Sequence, residues 1–383
     1  MQTADRWAGF GQTVFTEITE LAKAHNAINL GQGFPDFDGP DFVKDAAAAA
    51  MGRGDNQYAR MFGIPPLNGA IAARFKADTG LTVDADAHVT VTSGCTEALA
   101  ASFLGLVNPG DEVVLIEPYF DSYPACVALA DATARYMTLR PPDFRVSREA
   151  LDEVVGPNTR AIVVNSPHNP SGRVFDGSEL EAISTAVNRH DAIVISDEVY
   201  ERMVYEGAHR SIAALPGMWD RTVTVSSLGK SFSMTGWKIG WAVAPHALTA
   251  GVRAAHQFLT FATATPLQHG AAAALAAPDS YYDELLALYR RKRDLLAEGL
   301  DAVGFEVFVP EGTYFILADH RPFGFADDVA FARYLTTEIG VAAIPPSAFY
   351  HRPEDGADLV RFAFCKGDET LREAVARLAR LRG

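Results

Sequence analysis

Cysteine is scarce in this chain: Cys95, Cys126 and Cys365 are the three among 383 residues. They are odd in number, far apart and without CxxC spacing, which argues against a disulfide framework and a structural zinc site; no metal is expected. Positive charge is short as well. Lys plus Arg number 33 against 48 Asp plus Glu, a net charge of −15. A nucleic-acid binder needs a basic face to displace counterions, so no nucleic-acid partner is expected. Long apolar runs are missing too. The longest uncharged stretch, between Arg253 and Asp279, is broken by His256, Gln257, Pro266, Gln268, His269 and Gly270, too polar for a membrane span. The opening MQTADRWAGF puts Asp5 and Arg6 where an export signal would carry its apolar core, so a cytoplasmic protein is expected. Repeats with a period of 20 to 50 residues and low-complexity linkers do not occur either.

Hydrophobic residues make up 48% and charged residues 21%, the proportions of a folded protein with a sizeable core. The length suits two domains, or one large domain with an appendage. Short β-branched, mostly apolar runs stand at 89–92, 112–116, 160–164, 192–196, 222–226 and 240–244, and helical patterns lie between many of them, as at 96–106 and 177–189. Runs without strict alternation suit strands covered on both faces. Strand–helix alternation of this kind predicts an α/β fold with a mostly parallel central sheet between helical layers. The last third differs. Leu285, Leu288, Tyr289, Leu296 and Leu300 share one helical face, strands are expected at 306–309, 314–318 and 358–364, and helices near 327–338 and around Leu371, Val375 and Leu378. That pattern reads as a smaller α+β domain of residues 281–383 joined by residues 1–38, beside a large domain of residues 39–280.

Three motifs carry chemistry. Ser226 to Lys238 reads SSLGKSFSMTGWK, with Lys230 just after an apolar strand and Lys238 eight residues on. A desolvated lysine near a second cation makes an amine nucleophile, able to condense with an aldehyde cofactor; taken alone, Lys230 would read as part of an ordinary basic loop. Ser227 and Lys238 offer a hydroxyl and a cation suited to phosphate. NSPHNPSG follows one strand from Asn165, and SDEVY ends the next with Asp197. An acid at the end of a buried strand needs a partner. A pyridinium nitrogen would be one, and a helix N-cap role for Asp197 is the bland alternative. Other catalytic signatures are weak or missing. Gly31-Gln32-Gly33 lacks the third glycine and following helix of a dinucleotide site, and neither GxSxG nor HExxH occurs.

Together SSLGKSFSMTGWKIGW, NSPHNPSG, SDEVY, SGCTEAL and NLGQGFPDF resemble a fold-type-I, pyridoxal-phosphate-dependent aminotransferase of class I/II. The likeness runs from about Phe10 to the C-terminus and is strongest with the methionine, glutamine and kynurenine aminotransferases. It implies pyridoxal 5′-phosphate as cofactor and a homodimer with shared active sites. By this resemblance Lys230 forms the internal aldimine and moves the Cα proton, Asp197 pairs with the pyridine nitrogen, and Tyr200 and Asn169 bond the ring oxygen. Gly94, Cys95 and Thr96 match the turn that opens a helix onto the phosphate. Ser227 and Lys238 match its side-chain ligands, and Tyr119, in EPYFDSY, the aromatic stacked on the ring. Arg361 resembles the fork that grips the α-carboxylate. Gly33 resembles a backbone donor to the same group, and Phe15 a pocket wall. Tyr58 and Phe261 resemble residues that reach the neighbouring subunit's site.

Departures narrow the substrate. Cys95 and Ala262 stand where some kynurenine-type members carry an aromatic residue and a histidine, which speaks against kynurenine as the main donor. NQYARMFG, RPPDFRV at residues 140–146 and HQFLTF at residues 256–261 lean towards the methionine type. No arginine stands out as a clamp for a second carboxylate. A neutral, apolar or aromatic amino donor, methionine-like first, with a 2-oxo acid acceptor, is therefore expected. The alternatives are a kynurenine or glutamine aminotransferase and a cysteine-conjugate β-lyase on the same site. A non-catalytic scaffold of the kind found in transcription regulators would need a DNA-binding domain, and only about 30 residues precede the first motif.

Overall fold

The computed structural model describes residues 4–382. Its main sheet has seven strands in the spatial order Val89–Thr92, Gly240–Val243, Thr222–Ser227, Ile193–Asp197, Thr159–Asn165, Glu112–Glu117 and Thr133–Thr138. Gly240–Val243 runs antiparallel to both of its neighbours, and the remaining pairs are parallel. The α/β architecture expected from the sequence is the one found. One strand of this sheet was not anticipated: Thr133–Thr138, at the edge. It has a single strand partner and a largely exposed or half-exposed pattern, so it lacks the apolar run that marks strands buried on both faces.

Helices cover both faces because their sequences supply caps and an apolar stripe. Gly177–His190 starts at Asp176, whose carboxylate accepts from the Ser178 and Glu179 N–H groups at 2.9 and 3.0 Å, while Glu179 reaches back to the Asp176 N–H at 2.9 Å. Such a reciprocal cap stabilises a helix by about 1 kcal/mol. The buried face is Leu180, Ile183 and Val187, at helical spacing. On the opposite face of the sheet, Gly94–Leu106 packs against His246–Leu259. Their backbones touch at Gly105 and Gly251: a Cβ on Gly105 would lie 2.1 Å from the Gly251 carbonyl oxygen. Any larger residue there would push the helices apart.

The C-terminal part is built on the 25-residue helix Asp279–Val303 and a three-stranded antiparallel sheet, Leu359–Ala363, Phe315–Asp319 and Glu306–Phe308. Ile28–Asn29 pairs in parallel with Val341–Ala342, and Ile18 and Ala22 share a core with Ala342, Ile344 and Phe349. Val199, Tyr200 and Met203, just after the strand that ends at Asp197, also pack into the C-terminal core. The helix expected at 327–338 is shorter: Asp328–Tyr334 is α-helical and Leu335–Ile339 is a wider π turn. There the Thr336 hydroxyl donates to the Ala332 carbonyl at 2.8 Å, competing with the main-chain ladder. Among the described residues no helix is long and apolar enough to cross a membrane.

Candidate active site

Parallel strands end together, and their carboxyl ends place side chains side by side. Asn165 is level with Asp197, Asp197 with Val225, and Ser227 with Gly240. Above these ends lies a cavity of ≈ 230 Å³. Gly94, Cys95, Thr96, Asn169 and Asp197 line it, as do Tyr200, Ser227, Lys230 and Lys238, so motifs scattered over 145 positions of sequence converge on one space.

One end of the cavity is acidic. Asp197 is 4% exposed; its Oδ2 accepts from the Tyr123 phenol at 2.9 Å, and its Oδ1 from the Val199 N–H at 3.3 Å and the Cys95 thiol at 3.7 Å. Burial pushes the Asp197 carboxyl upward, while the phenol, the N–H, Lys230 and the thiol favour its charged form. Its three hydrogen-bond partners are all neutral, so a cation facing it would add a partner of opposite charge.

The other end is suited to an anion. The helix Gly94–Leu106 begins here, and Lys238 Nζ lies 3.3 Å from Thr96 Oγ1. Gly240 allows the strand to lie against this turn: a Cβ there would sit 2.4 Å from the Gly94 carbonyl carbon. Lys238 itself adopts φ 53°, the left-handed region a lysine rarely occupies.

Between the ends stands Lys230, in the short helix Leu228–Ser231. Its Nζ donates to the Tyr314 hydroxyl at 3.1 Å, and that hydroxyl donates to the Gly33 carbonyl at 2.5 Å. Burial lowers the Lys230 pKa, with Lys238 adding to the effect and Asp197 among the groups opposing it. Asn169 is oriented from two sides. Its N–H donates to Asn165 Oδ1 at 2.7 Å, and its Oδ1 accepts from Arg361 Nη1 at 3.3 Å, which leaves the amide Nδ2 free for the cavity.

Arg361 lies one hydrogen bond beyond that amide and is 2% exposed. The rings of Phe315, Phe15 and Phe349 lie 4.2, 5.1 and 5.1 Å from its guanidinium carbon. Its remaining hydrogen bond goes to the Gly31 carbonyl at 2.9 Å, and Nε has no partner. Burial brings its pKa down to about 10. A guanidinium held by neutral oxygens and aromatic faces is arranged to receive a carboxylate.

Phe15 and Gly33, like Arg361, lie beyond the cavity lining, beside Arg361 and Tyr314, and three more expected residues lie elsewhere. Tyr119 does not line the cavity; it packs on Tyr136 at 6.0 Å, and its N–H donates to the Phe349 carbonyl. The aromatic at the wall is the next residue, Phe120, together with Tyr123. Phe120 and Tyr123 share one side of the turn that starts the helix Ser122–Leu129, their centroids 5.7 Å apart, and that three-residue spacing in EPYFDSY was the signal for them. Tyr58 and Phe261 form an edge-to-face pair at 5.5 Å outside the cavity and are 85% and 45% exposed. Sequence reasoning also passed over Asn165, which fixes Asn169 and donates to the Asp197 carbonyl at 2.9 Å, and Tyr314, which holds Lys230. Among the described residues no cluster of His, Cys, Asp and Glu is arranged to hold a metal.

The sequence model for aminotransferase class I and II matches residues 25–378. The chain belongs to that family. The solved N-succinyldiaminopimelate aminotransferase of Mycobacterium tuberculosis superposes with a TM-score of 0.97 at 46% identity, over 99% of this chain and 100% of that one. The methionine aminotransferase of Escherichia coli is 43% identical over 97% of this chain and 96% of its own length. The kynurenine–oxoglutarate transaminase of Dictyostelium discoideum is 38% identical over 98% and 95%. Class I and II aminotransferases use pyridoxal phosphate. The cavity fits that group, with a buried acid at one end, an amide and a phenol at the middle, and a helix start with a lysine and a serine at the other.

Proposed function

We propose that this aminotransferase takes the amino group of a neutral, apolar or aromatic amino acid, methionine-like by first choice, and passes it to a 2-oxo acid. Bound at the cavity, pyridoxal phosphate supplies the electron sink that stabilises negative charge at the substrate Cα. Lys230 would hold the cofactor through its amine and, with Nζ free, would serve as base and acid, taking the Cα proton and returning it. Its depressed pKa keeps more of the amine neutral and able to accept. Asp197, oriented by Tyr123, keeps the ring nitrogen protonated. Tyr200 and the free Nδ2 of Asn169 hold the ring oxygen, while the N–H groups at Gly94, Cys95 and Thr96 hold the phosphate with Ser227 and Lys238. Arg361 takes the substrate carboxylate beside Gly33, with Phe15 as pocket wall. Tyr58 and Phe261 complete the site of the partner subunit in a homodimer. The three free cysteines suit a cytoplasmic location.

The buried Arg361 among three phenylalanine rings, with no carboxylate in ion-pair contact among the described residues, carries the substrate reading. It offers one carboxylate-binding fork in apolar surroundings, and the cations lining the cavity itself are Lys230 and Lys238, both engaged in the cofactor reading. The 46% identity to an N-succinyldiaminopimelate aminotransferase favours a second reading, a donor with a further carboxylate. A panel of donors against one fixed oxo acid decides between them. Methionine and other neutral donors should exceed glutamate and N-succinyldiaminopimelate in kcat/KM by at least about tenfold, the worth of one well-fitted apolar contact. A higher value for either of these donors, each with more than one carboxylate, would overturn the first reading.

A further inference from the structure

Two stretches singled out in the sequence, NQYARMFG and HQFLTF, have no part in the cavity chemistry beyond Tyr58 and Phe261. They meet at His256. This side chain, 0% exposed in the helix His246–Leu259, places Nδ1 2.5 Å from Glu97 Oε1 and Nε2 2.7 Å from the Met61 carbonyl oxygen. A carboxylate and a carbonyl only accept. A neutral imidazole has one N–H and would satisfy one of them, so the doubly protonated ring is the form that bonds both. Burial opposes that charge and Arg253 adds to the opposition, while the bond to Glu97, its negative charge and the Met61 carbonyl outweigh them. Burial pushes the Glu97 carboxyl up, but the bond and charge of His256, with Thr260 and Ser93 as further donors, hold it below its usual range.

Each partner of this ring leads to a different part of the cofactor site. Glu97 follows Gly94-Cys95-Thr96 in the same helix, and its other oxygen accepts from the Ser93 N–H at the head of the phosphate turn. Met61 lies three residues after Tyr58 in the same loop, between the helices Asp41–Arg53 and Pro65–Thr79. The His256 carbonyl accepts from the Thr260 and Phe261 N–H groups, both at 3.1 Å, and so shapes the turn that presents Phe261. The Thr265 hydroxyl ties the same two loops again, donating to the Gln57 carbonyl at 2.6 Å. One charged ring thus sets the turn for this subunit's phosphate and the two aromatics that the same chain offers to the partner.

We propose that His256 is a positioning residue that couples the two active sites of the dimer: it fixes one subunit's phosphate turn and, through Met61, the Tyr58 that reaches the partner's phosphate. This rests on the reading that Tyr58 crosses to the other subunit. A core histidine that merely fills space would leave coenzyme binding independent of Tyr58, and that difference can be measured.

The test is the rate at which holoenzyme dimers release pyridoxal phosphate, for wild type, His256→Gln, Tyr58→Phe and the double variant. Each single change should speed release by about tenfold, the worth of one hydrogen bond to a charged group. Because His256 acts partly by placing Tyr58, the double variant should fall clearly short of the roughly hundredfold product expected for independent sites. Release at the wild-type rate in His256→Gln, or full multiplication in the double variant, would overturn the coupling. Should His256→Gln yield no dimer, Glu97→Gln keeps the shape while removing the charge that holds the ring, and the same non-multiplicative pattern with Tyr58→Phe is expected. Wild-type protein that holds no coenzyme at all would instead sink the cofactor reading, and this proposal with it.

Discussion

The cavity and its aromatic rim are built in opposite ways. Inside, four central polar side chains are oriented by their own chain: Asp197 by Tyr123, Lys230 by Tyr314, Asn169 by Asn165 and Arg361, and Lys238 by Thr96. Outside, Tyr58, Phe258 and Phe261 are 85%, 86% and 45% exposed, with Leu259 at 48% between them. Exposed aromatics gathered on one patch point to contact with another surface. The difference teaches where the limits of one chain lie. Residues whose roles are intramolecular are locked by hydrogen bonds already, whereas Tyr58 and Phe261, proposed to serve a second subunit, touch each other and stay largely exposed.

The strongest way to break this contrast is to remove the amine. Lys230→Ala should cost about 10⁴-fold or more in kcat, since nucleophile and proton carrier are lost together. Absorbance after gel filtration should show no covalently held coenzyme, and circular dichroism a folded protein. Residual turnover within tenfold of wild type would take the catalytic role from Lys230.

A smaller effect sharpens the contrast itself. Tyr58→Phe removes one hydrogen bond to a charged group, about 1.5–3 kcal/mol, and should weaken coenzyme affinity accordingly. Mixing the Lys230→Ala and Tyr58→Phe chains separates the two geometries. If Tyr58 serves the partner, one hybrid site carries both lesions and the other neither, so activity should climb towards half that of wild type. If Tyr58 serves its own chain, each hybrid site keeps one lesion and no recovery follows.

How much of this was legible beforehand depended on burial. Strands covered on both faces announce themselves as apolar runs, and the polar residues at their ends, Asn165, Asp197 and Ser227, stand out against them. The edge strand Thr133–Thr138 has no such run, because one side of it meets solvent. Lys230, Asp197 and Asn169 sit in short motifs whose spacing is fixed by strand ends, so their convergence could be anticipated. Tyr314 could not be ranked, since a supporting hydrogen bond leaves no pattern of its own in sequence. The Tyr119 expectation failed by one residue. The chain turns sharply after the strand Glu112–Glu117, and which of two adjacent aromatics faces inward is decided by that turn rather than by composition.

That single-residue difference gives the subtlest measurement. An aromatic face on the cofactor ring contributes about 0.5–1.5 kcal/mol beyond its buried area, so Phe120→Leu should raise the coenzyme dissociation constant by up to about tenfold. Tyr119→Phe removes only a hydroxyl from a ring packed on Tyr136, away from the cavity wall, and should leave that constant unchanged. Titration of each variant with pyridoxal phosphate, read by its absorbance, separates them. Equal effects would mean that the turn after Pro118 lets either ring approach the cofactor, and the inner wall would then be less rigid than its hydrogen bonds imply.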